Sequence, residues 1–320
     1  MIRALSALLL LAAPAAAGSF LLNPPVDCTL GETCFIQNHV DRDPGPGAAD
    51  YTCGPLSYDG HKGTDFALPS MAAMREGVNV LAAAPGTVIA LRDGMPDTGA
   101  ASPGIGGRDC GNGVVIRHGG GWETQYCHLR QGSLRVERGQ RVGKGTVLGQ
   151  IGLSGRTEFP HVHLSLRHDG AVIDPFAPGP GPVTCTESPG PGLWQDPIAY
   201  QPGGILSLGF ARQPPDFARV KEGLPSPASL PAGAAALILW SHVFGGRAGD
   251  VVALRITAPG GRPVLSHEAV VERDQARLFR FAGKPLRGTA WPEGIYRGEV
   301  ALRRDGETIS RRAVTLRIGP

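Results

Sequence analysis

The run Pro160-His161-Val162-His163-Leu164-Ser165-Leu166 alternates polar and apolar side chains without a break. Successive side chains of a β-strand point to opposite faces, so this pattern predicts a strand. It puts His161, His163 and Ser165 on one face, and Val162, Leu164 and Leu166 on the other. The apolar face can enter a core while two imidazoles stay adjacent on the open face. A strand is stiffer than a loop and makes a good metal platform. Read alone, the same run also describes a half-exposed strand with two surface histidines.

The rest of the chain is punctuated in a way that favours the strand reading. Its 320 residues include 47 glycines and 29 prolines, spread at short intervals. Such spacing indicates many short strands and turns rather than long helices. Hydrophobic residues make up 42% and charged residues 18%, which supplies packed cores and argues against disorder of the whole chain. A net charge of +3, without a basic stripe, excludes a nucleic-acid binder.

Met1-Ile2-Arg3 is a basic start, followed by an apolar stretch from Ala4 to Ala13 and by the small residues Ala15-Ala16-Ala17. This is the pattern of a secretory signal peptide, residues 1–17, cleaved after Ala17. It is short for a membrane span, and no cysteine stands at the cleavage site to make a lipoprotein. The alternative is an uncleaved anchor. No other stretch is apolar for long enough to span. The expectation is an exported protein, periplasmic or extracellular, with no stable membrane insertion after signal removal.

Six cysteines, Cys28, Cys34, Cys53, Cys110, Cys127 and Cys185, all lie beyond the signal. An even count in an exported chain favours disulfides, although six cysteines formally allow fifteen pairings. The expected set is Cys28–Cys34, Cys110–Cys127 and Cys53–Cys185. The second is best supported, because a turn at Gly119 to Gly121 brings its two positions together. The absence of a Cys-x-x-Cys pair argues against a redox centre or a zinc ribbon.

Two further pieces carry chemistry. In Tyr58-Asp59-Gly60-His61-Lys62-Gly63-Thr64-Asp65-Phe66-Ala67, the glycines argue against a helix. The expectation is a turn leading into a short strand from Thr64 to Ala67. The second piece reads as a hairpin, with strands at Gly113 to His118 and Trp122 to Leu129 around the glycine turn. His128 falls at its far end, and His118 reads as a turn or edge histidine. Together the pieces supply His and Asp ligands of the kind zinc prefers, and they leave histidines over for catalysis. Catalytic zinc typically takes three protein ligands and keeps a fourth position open.

The ordered set His-x-x-x-Asp, Gly-Asn-Gly-Val-Val-Ile-x-His-Gly, Tyr-x-His-Leu and Pro-His-x-His-Leu resembles the lysostaphin-type (LytM-type) zinc metallopeptidases. That family cleaves peptide cross-links in bacterial peptidoglycan. The resemblance runs from about Gly54 to Phe176. It includes the strand-opening turn Ala84-Pro85-Gly86-Thr87-Val88 and the glycine-punctuated, paired short strands between Val136 and Gly152. The resemblance implies that His61, Asp65 and His163 hold a single zinc ion (Zn2+) per chain. It implies that His128 and His161 are an unliganded catalytic pair. It also implies a tyrosine near the metal, for which Tyr58 is a candidate that no motif fixes. One departure stands out. The stretch from Arg92 to Cys110 is longer and richer in Gly, Pro and Asp than a plain hairpin connection, and such an insertion can shape or partly cover a groove.

The implied function is that of an exported zinc metalloendopeptidase hydrolysing peptide cross-links of bacterial peptidoglycan. The chain has no His-Glu-x-x-His helix, so no glutamate is placed as the base. Proton transfer then falls to the spare imidazoles. His161, on the face of His163, is the choice for general base. His128 would serve the oxyanion or the leaving amine. Two alternatives remain open. One is an inactive LytM-type regulator or binder of cell-wall hydrolases, and the other is a zinc peptidase acting on exported proteins.

Linker-like runs, Ala177-Pro178-Gly179-Pro180-Gly181-Pro182 and Ser188-Pro189-Gly190-Pro191-Gly192, flank Cys185. Beyond about Gly203 the pattern becomes that of regular short strands. They are expected at Ala235 to Trp240, Asp250 to Thr257, Arg277 to Phe281, Ile295 to Arg303 and Arg312 to Ile318. This spacing suggests a β-sandwich. His242 and His267 are isolated there and read as surface or packing residues. The expected fold is therefore mostly β. A signal at 1–17 is followed by an antiparallel β-sheet LytM-type peptidase domain with its lead-in at 18–200. An immunoglobulin-like β-sandwich at 201–320 serves as an accessory domain and a possible site for a protein partner.

Overall fold

The computed structural model describes residues 20–101, 105–179 and 190–319. The expected signal peptide, Cys185 with its bridge to Cys53, and the centre of the linker lie outside the described residues.

The first part of the chain runs β1 (Phe35–Asn38), β2 (Thr64–Ala67), helix α1 (Met71–Glu76), β3 (Asn79–Leu81), β4 (Gly86–Arg92), β5 (Asn112–Arg117), β6 (Trp122–Leu129), β7 (Arg141–Val142), β8 (Val147–Gln150), β9 (His161–His168) and β10 (Ala171–Ile173). One sheet has the order β1-β2-β9-β6-β5-β4-β7, with β10 added to β9, and β3 pairs separately with β8. The expected strand at 64–67, the hairpin and the histidine strand are all present. The short strands between Val136 and Gly152 are present too, but they do not pair with each other. β7 joins β4 and β8 joins β3.

Alternation explains the packing. Val162, Leu164 and Leu166 are almost wholly buried, in one core with Phe66, Val114, Ile116 and Tyr126. Each such side chain contributes about 1.5–3 kcal/mol by leaving water. The lead-in does more than precede this sheet. Its strand β1 pairs with β2 through Phe35↔Ala67 and Ile36↔Phe66. Just before β1, Cys28 and Cys34 form a disulfide with Cα atoms 6.1 Å apart.

The second part runs β11 (Gly204–Ala211), helix α2 (Phe217–Glu222), β12 (Ser229–Pro231), β13 (Ala236–Gly246), β14 (Val251–Thr257), β15 (Pro263–Val270), β16 (Gln275–Pro285), β17 (Gly294–Arg304) and β18 (Glu307–Gly319). It holds two sheets, β11-β13-β16 and β12-β18-β17-β14-β15. Leu237, Leu239, Val243 and Leu278 from one sheet share a core with Val252, Leu254, Val300 and Leu316 from the other. The five expected strands coincide with parts of β13, β14, β16, β17 and β18, with Ala235 and Asp250 each one residue outside the observed strand. β11, β12 and β15 were not anticipated.

The two parts are packed together. Phe35, Leu56 and Ala67 form a buried cluster with Leu206 and Phe244, with Phe159 and Tyr200 against it. Arg75 of α1 also pairs with Glu222 of α2 at 2.9 Å. No helix among the described residues is long and apolar enough to cross a membrane.

Candidate metal centre

Pairing of β2 with β9 sets Asp65 opposite His163 and Ala67 opposite His161. His61 comes from the turn before β2, where its N–H donates to the Tyr58 carbonyl at 2.9 Å. The ligand atoms of His61, Asp65 and His163 converge. His61 Nε2 lies 3.2 Å from Asp65 Oδ1 and 3.1 Å from His163 Nδ1, and His163 Nδ1 lies 2.8 Å from Asp65 Oδ1. Donors about 2.0–2.1 Å from a tetrahedral zinc stand roughly 3.3 Å apart. The observed triangle fits that ion, and its two imidazoles and one carboxylate are donors that zinc accepts. Gly63 permits the close approach, because a Cβ there would stand 2.5 Å from His163 Nε2 and 2.7 Å from the Leu164 carbonyl oxygen.

A second layer orients these donors. His61 Nδ1 donates to the His39 carbonyl at 2.7 Å, which leaves Nε2 facing inward. His163 Nε2 meets Ser165 Oγ at 3.0 Å, which leaves Nδ1 inward. Asn38 Nδ2 donates to Asp65 Oδ2 at 2.8 Å, which leaves Oδ1 inward. Outer partners of this kind set the tautomer and orientation of a ligand. Burial alone would raise the Asp65 carboxyl. The neighbouring His161 and His61, with hydrogen bonds from His161 and His163, outweigh burial and hold it well below the ordinary carboxylate range. Asn38 and His39 went unread in the sequence, because they belong to the lead-in and no motif marks them.

His161 and His128 complete the site. His161 Nε2 lies 3.4 Å from Asp65 Oδ1, and its Nδ1 lies 2.9 Å from the Phe159 carbonyl oxygen and 3.2 Å from Thr157 Oγ1. His128 Nδ1 donates to the Ser154 carbonyl at 2.8 Å. Its ring centre is 4.6 Å from that of His161 and 6.2 Å from that of His163. An imidazole that commits Nδ1–H to a carbonyl presents Nε2 as its free nitrogen. Burial pushes His128 down to about 3, so its resting form is neutral.

The position of His128 depends on an irregularity in the hairpin. Asn112 pairs with Leu129 and Val114 with Tyr126, so Gly113 alone faces both Cys127 and His128. His128 has a φ of 63°, in the left-handed region. This is a β-bulge, a device that re-aims a side chain next to a site. The expected Cys110–Cys127 disulfide is present beside it, with Cα atoms 4.8 Å apart. The His128 N–H donates to the Cys110 carbonyl at 2.8 Å.

Residues 59–175, which carry all five of these side chains, match peptidase family M23. The peptidoglycan DD-endopeptidase ShyA of Vibrio cholerae is 34% identical over 114 residues, covering 36% of this chain and 22% of that protein. The DD-carboxypeptidase/endopeptidase Mpg of Neisseria meningitidis is 39% identical over 67 residues, covering 21% of this chain and 15% of its own. The chain thus spans well under half the length of these curated relatives. Among solved structures, a zinc-containing peptidase from Vibrio cholerae is 26% identical with a TM-score of 0.34, covering 48% of this chain and 39% of that one.

Other expected features of the M23 segment lie as follows. The Tyr58 ring stands 4.4 Å from that of His61 and is 54% exposed, at the rim of the site. His118 closes the turn, its N–H donating to the Trp122 carbonyl at 2.8 Å, but its ring is not at the surface. It is buried, with Nδ1 donating to the Pro85 carbonyl at 2.7 Å and Nε2 accepting from Thr124 Oγ1 at 2.9 Å. The described part of the 92–110 stretch is anchored to the segment that holds the catalytic candidates. Asp97 Oδ1 accepts from the Leu153 N–H at 2.9 Å, and the Ala100 N–H donates to the Thr157 carbonyl at 2.9 Å. It buttresses Ser154 and Thr157, the partners of His128 and His161. In the second part, His242 is a fully buried packing residue and His267 is exposed.

Proposed function

We propose that this chain is an exported zinc-dependent metalloendopeptidase that hydrolyses peptide cross-links of bacterial peptidoglycan. The observation that carries this reading is the convergence of His61, Asp65 and His163, each held by an outer partner, beside two imidazoles that are not part of the triangle. The M23 match and the names of the related endopeptidases support the substrate class. We assign metal binding to His61, Asp65 and His163, with a single zinc per chain, and proton transfer to His161 and His128.

Zinc held there would supply Lewis acidity to a scissile carbonyl and to an attacking water. The remaining work belongs to the chain. His161 keeps Nδ1–H on the Phe159 carbonyl and accepts the water proton at Nε2, on the side of Asp65. His128, neutral at rest with Nδ1–H on Ser154, takes that proton over at Nε2 from the neighbouring His161 and delivers it to the leaving amine, which returns both imidazoles to their neutral forms. Asp65 stays ionised and balances the charge that His161 gains. The partly exposed His163 and Tyr58 mark the side from which a peptide enters.

We further assign a signal peptide to 1–17, the peptidase part to 18–200 and an immunoglobulin-like accessory domain to 201–320. Two sheets facing each other across one core support the last assignment. Disulfides at Cys28–Cys34 and Cys110–Cys127 support export to an oxidising compartment. The accessory domain is also the surface for any protein partner.

The test is digestion of purified peptidoglycan of several chemotypes by the mature protein, with and without chelator, with products identified by mass. Chelator-sensitive release of cut cross-links is expected. Wall binding with no cleavage by the zinc-loaded protein would replace this reading with a regulatory one.

A further inference from the structure

The segment Gly152-Leu153-Ser154-Gly155-Arg156-Thr157 carries oxygens that hold both spare imidazoles. The Ser154 carbonyl accepts the His128 Nδ1–H at 2.8 Å, and Thr157 Oγ1 lies 3.2 Å from His161 Nδ1. The same segment holds the His128 backbone, because the Gly152 N–H donates to the His128 carbonyl at 3.0 Å. This short stretch thus helps set which nitrogen each imidazole turns toward the metal triangle. Beyond a single bridge between Gly152 and His161, it lies outside the strands. Two of its residues are glycines, so its own conformation supplies little stiffness.

The described part of the 92–110 stretch grips this segment along its length. The Gly99 N–H donates to the Leu153 carbonyl at 2.7 Å, and the Ala100 N–H to the Thr157 carbonyl at 2.9 Å. The Asp109 carbonyl accepts from the Arg156 N–H at 2.9 Å, and Asp109 Oδ1 accepts from Arg156 Nε at 3.0 Å. Asp97 joins the grip to the chain that carries His128. Its Oδ1 accepts from the Leu153 N–H at 2.9 Å, and its Oδ2 from the Gln131 N–H at 3.0 Å. Gln131 follows shortly after His128, and Leu153 directly precedes Ser154. One half-buried carboxylate therefore ties together the two chain segments that fix the His128 ring. Gly152 makes room for it, since a Cβ there would stand 2.6 Å from Asp97 Oδ1.

A carboxylate that accepts from two backbone N–H groups makes charge-assisted hydrogen bonds, which are stronger than neutral ones. A proton-transfer group works only at the right distance and angle. Losing a brace that lets such a ring drift by about 1 Å can cost about a hundredfold in rate, even where the brace touches no substrate.

We propose that Asp97 is a positioning residue of the peptidase centre, the anchor of a brace formed by the 92–110 stretch. The brace keeps Nδ1–H of His128 and of His161 on their oxygens and leaves both Nε2 atoms for proton transfer. This rests on the peptidase reading above. It gives the inserted stretch a part in the rate of the reaction rather than in covering the groove.

The test uses the full-length, zinc-loaded protein. Asp97→Ala removes both acceptors, and Asp97→Asn keeps one. Steady-state kinetics on a soluble cross-linked peptide are combined with nitrogen NMR of isotope-labelled histidine rings, with zinc content and thermal midpoint as controls. The parent should show His128 as a single tautomer protonated at Nδ1. Asp97→Ala should lower kcat by about tenfold to a hundredfold with KM almost unchanged, as expected when geometry needed in the transition state is lost. Its His128 signal should become a mixture of tautomers, while zinc content stays at the parent level. Asp97→Asn should fall between the two. A merely structural role would leave the tautomer alone. Parent kcat in Asp97→Ala, or lost activity with an unchanged His128 tautomer, refutes the brace. If Asp97→Ala does not fold, Asp97→Asn decides by the same two readings. A parent that cleaves no cross-linked peptide overturns the peptidase reading, and the ring spectra then decide the brace by themselves.

Discussion

Cys127 and His128 are consecutive residues of β6, yet both face the ligand side of the sheet. Cys127 pairs with His163 in register, and the His128 ring lies 4.6 Å from that of His161, tilted against it. Tyr126 and Leu129, on either side of them, both enter the core. Strict alternation would have sent His128 into that core with Tyr126. The bulge opposite Gly113 adds the extra step that turns it outward.

The bulge makes a prediction about stability. In an ordinary strand, glycine is less stable than alanine. At a left-handed φ the order reverses, because an alanine Cβ is strained there by about 1 kcal/mol or more. His128→Gly should therefore be more stable than His128→Ala by about 1 kcal/mol in urea unfolding of the zinc-loaded proteins. Alanine matching or exceeding glycine would refute the bulge as the cause of the orientation.

Zinc occupancy tests the triangle and its outer layer separately. His163→Ala and Asp65→Ala should lose most of the metal by elemental analysis, because too few donors remain. Asn38→Ala should keep the metal but bind it about 10–100-fold more weakly in competition with a chelator. Stoichiometric zinc in His163→Ala would sink the ligand assignment.

Activity should separate from metal content at the other two histidines. His128→Ala and His161→Ala should retain zinc and lose cross-link cleavage by about a hundredfold or more, the usual worth of a positioned proton-transfer group. Cleavage at the parent rate in both variants would remove them from the mechanism.

Cys110 and Cys127 should resist alkylation in the unreduced protein. The disulfide joins two positions 17 apart in sequence, beside the bulge. Replacing both cysteines with serine should cost ~2–5 kcal/mol in chemical unfolding. Peptide mapping that finds either thiol free would contradict the pairing.

Asp174 predicts a pH dependence away from the metal. It is 1% exposed, Oδ1 accepts from the Phe176 N–H at 2.9 Å, and Oδ2 has no partner. Burial pushes its carboxyl up to about 6 from 3.8. Its contribution to stability is complete below the unfolded value of 3.8 and is lost as pH rises through about 6. Asp174→Asn removes that titration. Its unfolding free energy relative to the parent should rise between pH 4 and pH 8, by up to roughly 3 kcal/mol. A difference that stays constant with pH would show that the carboxyl does not titrate in this range.

Local pattern determined much of the site. Alternation in 160–166 was enough to place His161 and His163 on one face, because a strand has a period of two and its apolar residues must be buried. The glycine turn at 119–121 was enough to pair β5 with β6 and to bring Cys110 near Cys127. The strand at 64–67 followed from the glycines before it. Tertiary structure alone decided the rest. The orientation of His128 reverses its place in the alternation, and a bulge is set by register with a partner strand. Asn38 and His39 became outer partners only when β1 joined the far edge of the sheet. His118 was buried when its ring met Pro85, Thr124 and Phe20, although its sequence neighbours are turn residues. Arg277 lies more than a hundred positions beyond His161. Its guanidinium carbon came to stand 4.3 Å from the Phe159 ring centre because two apolar surfaces, formed far apart in the chain, had to leave water together.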